Sequence, residues 1–547
     1  MPGSLDSAIH PMRRLETRFG HRFVAALVLN LLTAPAWTQS ARKETWQSDR
    51  NFVLRGDLVT MGERGVVSDG YLLLRGGRIR QLARGEAAGA EKVPSIRTNG
   101  WIFPGFINLH THMPFNHQPL WVADRQFENR YQWQVYPPHV RSVMMPKWIL
   151  FGPREYNLPN EQTLFAEVRA LIGGTTALLS TRERSAYTIP GRLVRNIEYE
   201  TPLTGRVEAH VAEVDDAFIR DEAPALRAAI ERGELRAWVA HVAEGVDERS
   251  REELERLQRA DLLRKEVVIV HGTGLDRAQL EELGAVEGHL VWAPTSNLLL
   301  YGTMADVKSA IEAGVTVSLS NDWAPSGTHN LLAELKVASG AYRHRYGSSL
   351  APRTLVEMIT TNPARAIGWE TRAGSLVEGA QADVVVVARH TNDPYEDLLQ
   401  ATEEEVELVL IDGEPVFGRS DWMETLKPGD SELLEARGRN GKRYARRIDV
   451  TRIQGDMSLA QASARLRRAL DFREGAMLES FFDASGRPLS AKGLARYLAE
   501  HYPGLEPQPL PPLFLSDDEE FFVGLRAMDF PFVDELEATY RPFAVSP

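Results

Sequence analysis

The sequence predicts an α/β protein: a (β/α)8 TIM-type barrel, a composite β-sandwich built from the segments on either side of it, and a C-terminal accessory extension. Three observations predict this. Apolar strand-like runs alternate with helix-like runs between residues 104 and 368, the signature of a parallel sheet with helical crossovers. Short strands punctuated by Gly turns precede that region and return after it. Past residue 425 the pattern changes again, to charged and partly helical segments. A chain of 547 residues is ample for such a barrel with accessories.

Composition excludes several classes. With 43% hydrophobic and 25% charged residues the chain reads as an ordinary folded, soluble protein. Its 63 basic and 75 acidic side chains leave a net charge of -12, which argues against a nucleic-acid partner. Cysteine is absent. Disulfides, thiolate metal sites and cysteine nucleophiles are therefore excluded, and any metal must be held by His, Asp, Glu or a modified Lys.

Residues 1–41 read as a signal peptide. Arg13, Arg14, Arg18 and Arg22 form a positive leader, residues 23–32 are apolar apart from Asn30, and Thr33-Ala34-Pro35-Ala36 offers an Ala-x-Ala cleavage site. The apolar run is too short to span a bilayer as a stable helix. The expectation is a secreted protein, periplasmic or extracellular, with no membrane span after processing. A start codon assigned too early is the competing explanation.

Residues 42–103 supply the first part of the β-sandwich, with NFVLRGDLVTM and SDGYLLLRGGRIRQL as short strands and turns. Residues 369–425 supply the second, in Gly374-Ser375-Leu376, in 382–387 and in LVLIDGEPVFG. Two separate small β domains would each have few strands and a poor core. Within WIFPGFINLHTHMP, 101–114, the Pro104-Gly105 break marks the passage into the barrel of residues 104–368. Strands are expected to end near His110, at 175–179, near Val207, near Val239, at 267–270, 290–293 and 315–319, with an eighth around 193–197. Helices are expected at 250–263 and 276–283. In the extension, 426–547, the basic stretch 437–447 reads as solvated surface. Ser458-x-x-Gln461 reads as a capping box opening a helix whose Leu459, Ala462, Leu466 and Leu470 fall at helical spacing.

The chemistry-bearing residues fall at the predicted strand ends. His110 and His112 alternate onto one face of an extended chain, so two imidazoles can converge on one cation. His241 in AHVAEG, His271 in VIVHGTG and Asp322 in LSNDWAPSG close three other strands. A barrel brings such ends to a common mouth. Taken singly, each reads better as a satisfied polar residue; five together point to a metal centre. Nitrogen and oxygen ligands of this kind suit zinc, with iron and manganese as alternatives.

The motifs PGFINLHTHMP, HVAEGVDE, VIVHG, WAPTSNLLLYG and SNDWAPSG, followed by TTNPARAIGWETRAGSLVEGAQADVVVV, resemble the amidohydrolase superfamily over residues 51–418. Within it they look most like the branch containing triazine hydrolases, guanine deaminase and S-adenosylhomocysteine deaminase. The resemblance implies that His110, His112, His241 and Asp322 bind one divalent metal. It also implies that Glu244 is the proton shuttle, and that His271 orients the attacking water or polarises the substrate; Glu244, His271 and Asp322 are then the catalytic set. AHVAE occurs twice, at 209–213 and 240–244; only the second is followed by a helix and then VIVHG, in the order a βαβ unit requires. No lysine stands near Val207, where two-metal members carry a carboxylated one, which favours a single ion. Glu208 and His210 share a strand face and remain candidates for a second.

The long loop 115–146 carries Trp121, Phe127, Tyr131, Trp133 and Tyr136. These rings either wall a pocket for a flat or apolar substrate or only pack the loop on the rim. Arg125 and Arg130 could pair with a substrate carboxylate. Trp121, Tyr131, Trp133, Asn297, Trp323, Ser326 and His329 are the substrate-binding candidates, with Thr328 beside them. The expected function is an exported metal-dependent amidohydrolase that cuts a C–N bond of a small molecule: an amide, a cyclic amide or an amidine, deamination included. The alternative is a catalytically inactive binding protein on the same scaffold. A homo-oligomer is left open.

Overall fold

Val-, Leu- and Ile-rich runs from both sides of the barrel segment pair with one another because each alone exposes an apolar face. A computed structural model of the chain describes residues 50–85, 93–152, 156–180, 193–198, 203, 205–429, 431–451, 457–472, 487 and 490–542. The leader expected at 1–41 lies outside the described residues. All described residues belong to one compact unit.

Numbered in chain order, β1 (Asn51–Val59), β2 (Val66–Arg75), β3 (Arg78–Arg84) and β4 (Ser95–Pro104) share one nine-stranded sheet with β13 (Val384–Val387), β14 (Val406–Ile411), β15 (Glu414–Gly418), β16 (Glu432–Arg437) and β17 (Arg443–Ile448). The order is β16-β17-β15-β14-β13-β4-β1-β2-β3. The two ends of the chain meet at β4 and β13, antiparallel, with Val384 opposite Pro104 and Val387 opposite Trp101. Leu54, Leu72, Ile102, Val384, Val386, Leu408 and Leu410 bury one face together with Trp422 and Met423. The basic stretch of the extension is an edge hairpin, β16–β17, which joins the sheet by β17 pairing with β15. Leu434 and Ala436 turn inward there, while Arg437 and Arg443 stay exposed.

Strand β4 runs almost directly into β5 (Phe106–Thr111) through Gly105. A Cβ at Gly105 would lie 2.1 Å from Thr176 Oγ1, so only glycine lets the chain pass so close to its neighbour. β5 pairs in parallel with β6 (Thr175–Ser180), and β6 with β7 (Arg195–Asn196). A second parallel sheet holds β8 (Arg206–His210), β9 (Leu235–Val242), β10 (Val267–His271), β11 (His289–Trp292) and β12 (Thr316–Leu319), in sequential order. A parallel bridge between Thr111 and Asp322 joins the C-terminal end of β5 to the residues just past β12. Ile107, Leu109, Ala177, Leu179, Val207, Ala209, Ala237, Val239, Val268 and Val270 pack in one cluster with Trp369. Their alternate spacing along five strands is the period-2 pattern of a buried sheet face.

The helices start on side-chain caps. Asp247 caps Glu248–Arg259, Asp276 and Gln279 form a full capping box on Arg277–Ala285, and Asn330 caps Leu331–Tyr346. In the extension, Ser458 and Gln461 form the capping box of Leu459–Leu470. That helix lays Leu466, Ala469 and Leu470 against Phe165 of the helix Pro159–Ile172. Two further helices, Glu519–Ala527 and Val533–Tyr540, press Phe521, Phe522, Leu525 and Leu536 onto Leu299, Ala333 and Val337. Each large apolar side chain buried in this way contributes about 1.5–3 kcal/mol. Among the described residues, no helix is long and apolar enough to cross a membrane.

Candidate metal and catalytic site

His110 ends the apolar run of β5, His241 is the last residue but one of β9, His271 closes β10, and Asp322 follows β12. Their side chains converge. Potential ligand atoms of His110, His112 and Asp322 lie within 4.8 Å of one another, and so do those of His110, His241 and His271. His110 belongs to both groups and stands at the centre. Its Nε2 is 2.9 Å from Asp322 Oδ1, and His112 Nε2 is 3.4 Å from the same oxygen. The His110 ring lies 4.5 Å from that of His241 and 5.4 Å from that of His271.

Burial sets the protonation. It pushes the imidazoles of His110, His112 and His271 down to about 3, and that of His241 well below its usual value. Neutral His110, His112 and His241 beside the Asp322 carboxylate present lone pairs rather than protons, a donor set that fits a divalent cation of the zinc type. Outer contacts fix these rings: the backbone oxygen of His210 is 3.1 Å from His241 Nδ1, and Asn297 Nδ2 lies 3.1 Å from His271 Nδ1. Ala243, His271 and Asp322 have φ of +55°, +70° and +54°. Non-glycine residues in that region cost about 1–3 kcal/mol each, and such strain clusters at functional sites.

Glu244 is 4% exposed, and its Oε2 faces His271 Nε2 at 3.7 Å. Tyr301 donates to its Oε1 at 2.7 Å and accepts from Trp133 Nε1 at 2.8 Å. Burial pushes the Glu244 carboxyl up to about 8, against the pull of Arg130, whose Nη1 is 3.8 Å away. Of the two AHVAE copies, then, the second meets the histidines. Glu213, from the first, pairs with Arg249 at 2.6 Å on the surface. Glu208 pairs with Arg206, and His210 packs against the rings of Phe218 and Trp238. Neither enters a group of three potential ligands among the described residues.

The substrate-binding candidates divide. Trp323 stands 5.6 Å from the His112 ring and 5.5 Å from Trp133, and donates from Nε1 to Ser326 Oγ at 2.5 Å. Phe115, Trp121, Phe127, Trp133, Tyr301 and Trp323 form one buried cluster over this side. Trp121 lies one layer out, stacked on Phe127. Asn297 holds His271. Tyr131 and His329 are not at the cluster, because other partners hold them. Tyr131 bonds to Glu253 beneath the Arg249 guanidinium, and His329 Nε2 lies 2.9 Å from Asp518 Oδ2. Arg130 is fully buried, donating to the backbone oxygens of Val211 and Ala212, and so is not open to a substrate carboxylate. Arg125 is exposed over the Phe127 and Tyr136 rings. Tyr301 escaped the sequence reading, although its spacing of four from Asn297 on one helix, Pro294–Tyr301, puts both on one face.

Residues 216–416 match the model of the Amidohydrolase family. The chain is 22% identical over 429 residues to a 5-methylthioadenosine/S-adenosylhomocysteine deaminase of Bacillus cytotoxicus, covering 70% of this chain and 96% of that one. Its fold is similar to that of a zinc-bound adenosine deaminase from Xanthomonas campestris, with a TM-score of 0.57 at 20% identity, covering 77% of this chain and 98% of that one. It is also similar to an atrazine chlorohydrolase from Arthrobacter aurescens complexed with zinc, with a TM-score of 0.53 at 17% identity over 67% of this chain and 95% of that one. The match to the Amidohydrolase family model spans His241, Glu244, His271 and Asp322 of the site.

Proposed function

We propose that this chain is an exported amidohydrolase that uses one divalent metal, zinc in the first instance, to hydrolyse a C–N bond of a small molecule. The bond belongs to an amide, a cyclic amide or an amidine-like carbon, deamination included. One observation carries the reading: neutral His110, His112, His241 and His271 meet Asp322 and the buried Glu244 at the ends of different parallel strands. Closure of the eight strands into one barrel, which the Thr111–Asp322 bridge supports on one side, makes that meeting a mouth. The leader at 1–41 supports export.

His110, His112, His241 and Asp322 would hold the ion, whose Lewis acidity makes hydroxide available near neutral pH. Asp322 accepts the proton of the attacking water. With Asn297 Nδ2 donating to His271 Nδ1, the ring proton of His271 sits on Nε2, on the side of Glu244, ready to orient the water or polarise the substrate. Tyr301 anchors Oε1 of Glu244, which leaves Oε2 to carry a proton to the departing nitrogen. Trp323, Trp133 and Phe115 exclude water beside His112 and suit a flat ring.

The test is a screen of the zinc-loaded full chain against dipeptides, cyclic amides and aminated heterocycles for release of amine or ammonia. Turnover abolished by Asp322→Asn is expected. A fully metal-loaded chain that turns over none of them supports the inactive binding protein, and turnover that survives Asp322→Asn contradicts the mechanism.

A further inference from the structure

We propose that the C-terminal extension is part of the site: Asp518, acting through His329, positions the loop that carries Asp322 and steadies the strand end that carries His110. The proposal rests on the metal-centre reading above. His329 Nε2 lies 2.9 Å from Asp518 Oδ2, with side-chain exposures of 2% and 7%. The other oxygen of Asp518, Oδ1, accepts from Phe521 N at 3.1 Å and caps the helix Glu519–Ala527. One carboxylate thus fastens the start of that helix to a residue seven positions past Asp322.

From there a chain of buried hydrogen bonds leads to both metal-bearing strand ends. The backbone oxygen of Thr328, next to His329, accepts from Asn321 Nδ2 at 2.8 Å. Asn321 Oδ1 accepts from Asn108 Nδ2 at 2.6 Å, and Asn108 Oδ1 accepts from His110 N at 3.1 Å. Asn321 adjoins Asp322 directly, so both predicted ligands hang on this path. A second path starts at the same place: Asp518 and Arg169 attract one another, Arg169 Nη1 donates to the Asn116 backbone oxygen at 2.8 Å, and Asn116 Oδ1 accepts from Ala324 N at 3.0 Å. Compared with apolar packing, a buried polar pair supplies little net stability, but it does fix one geometry. The extension is also held by apolar burial away from the pair, with Phe522 and Leu525 packed on Leu299 and Val337. The pair therefore has a positioning role.

The test uses the full chain, stripped of metal and titrated with zinc against a chromophoric chelator, and then loaded with cobalt(II) for its visible spectrum. Asp518→Ser keeps a capping side chain for the helix and removes the oxygen that reaches His329. His329→Leu removes the other partner and serves if the first variant does not fold. Leu525→Ala opens a hole in the same interface away from the pair. The disrupting variants are expected to bind zinc about tenfold more weakly, as losses among the groups that orient metal ligands do, and to shift the cobalt bands. Leu525→Ala is expected to lower Tm while keeping the parent's zinc affinity and cobalt spectrum. Parental affinity and spectrum in Asp518→Ser or His329→Leu overturn this proposal alone. A parent chain that binds no zinc overturns the metal-centre reading, and this proposal with it.

Discussion

The duplicated AHVAE segment offers a sharp test, because Glu213 and Glu244 have the same local sequence and opposite surroundings. Glu244→Gln keeps the shape of the side chain and an oxygen for Tyr301, but it cannot carry a proton. Removing a positioned general acid–base costs about 10²–10⁴-fold in rate. The oxygen concerned is Oε2, 3.7 Å from His271 Nε2, since Oε1 is occupied by Tyr301 at 2.7 Å. Burial has already raised this carboxyl to about 8, so it is largely neutral at pH 7 and a neutral amide of the same shape leaves the charge there nearly unchanged. Tm should therefore stay near the parent's while kcat collapses. Glu213→Gln breaks only the 2.6 Å pair with Arg249, whose side chain is 48% exposed. Such a pair contributes about 0.2–1 kcal/mol, and none of it reaches the reacting atoms. The assay is enzyme-coupled ammonia release, or amine release, on whichever substrate the parent turns over, with thermal denaturation run on the same samples. An inactive Glu213→Gln beside a fully active Glu244→Gln would refute the assignment.

Tyr301→Phe removes the donor to Glu244 and strips Trp133 Nε1 of its acceptor. A buried donor left unpaired costs about 1–3 kcal/mol, so a lower Tm and a lower kcat are expected together, and an unchanged kcat would detach Tyr301 from the site. Burial acts to raise the Asp518 carboxyl, but its bonds with His329 and the nearby Arg169 charge outweigh that and hold it below the usual carboxylate range. A group depressed in the folded state stabilises it above its unfolded pKa and loses that contribution as pH falls through the folded value. Urea denaturation of the parent and of Asp518→Ser should therefore differ at pH 7 and converge in acid; a gap that persists undiminished below both values contradicts the linkage. Trp323→Ala, by opening the wall beside His112, should raise KM more than it lowers kcat, and the reverse pattern would move Trp323 from binding to chemistry.

Much of this arrangement is legible in the residues because it is periodic. The strands fall where the apolar runs predict them, even the two-residue β7, and the capping box at Ser458 and Gln461 forms as its spacing requires. His110, His241, His271 and Asp322 could be picked out because strand ends converge in a parallel fold whatever their separation in sequence. Contacts that depend on the angle at which a helix docks leave no such trace. Tyr301 and Asn297 reach Glu244 and His271 only because of where the helix Pro294–Tyr301 sits beside the ends of β9 and β10, and the meeting of His329 with Asp518 depends on how the extension folds back. Tyr131 and Arg130 misled because an aromatic or cationic residue in a rim loop looks the same in sequence whether it faces a pocket or an internal glutamate such as Glu253. In β16 and β17 the charges that read as a solvated surface divide: Arg437 and Arg443 are exposed, while Arg446, opposite the buried Leu434, is half-buried and donates to the backbone oxygen of Val406.

The most direct test of the account is the metal content of the purified, zinc-reconstituted chain, measured by elemental mass spectrometry alongside His110→Ala and Asp322→Ala. The account predicts one equivalent per chain in the parent and none retained after desalting in either variant, because His110 is common to both groups of potential ligands and Asp322 is the one carboxylate among them. A parent that holds no divalent ion, or variants that keep the parent's equivalent, would contradict it.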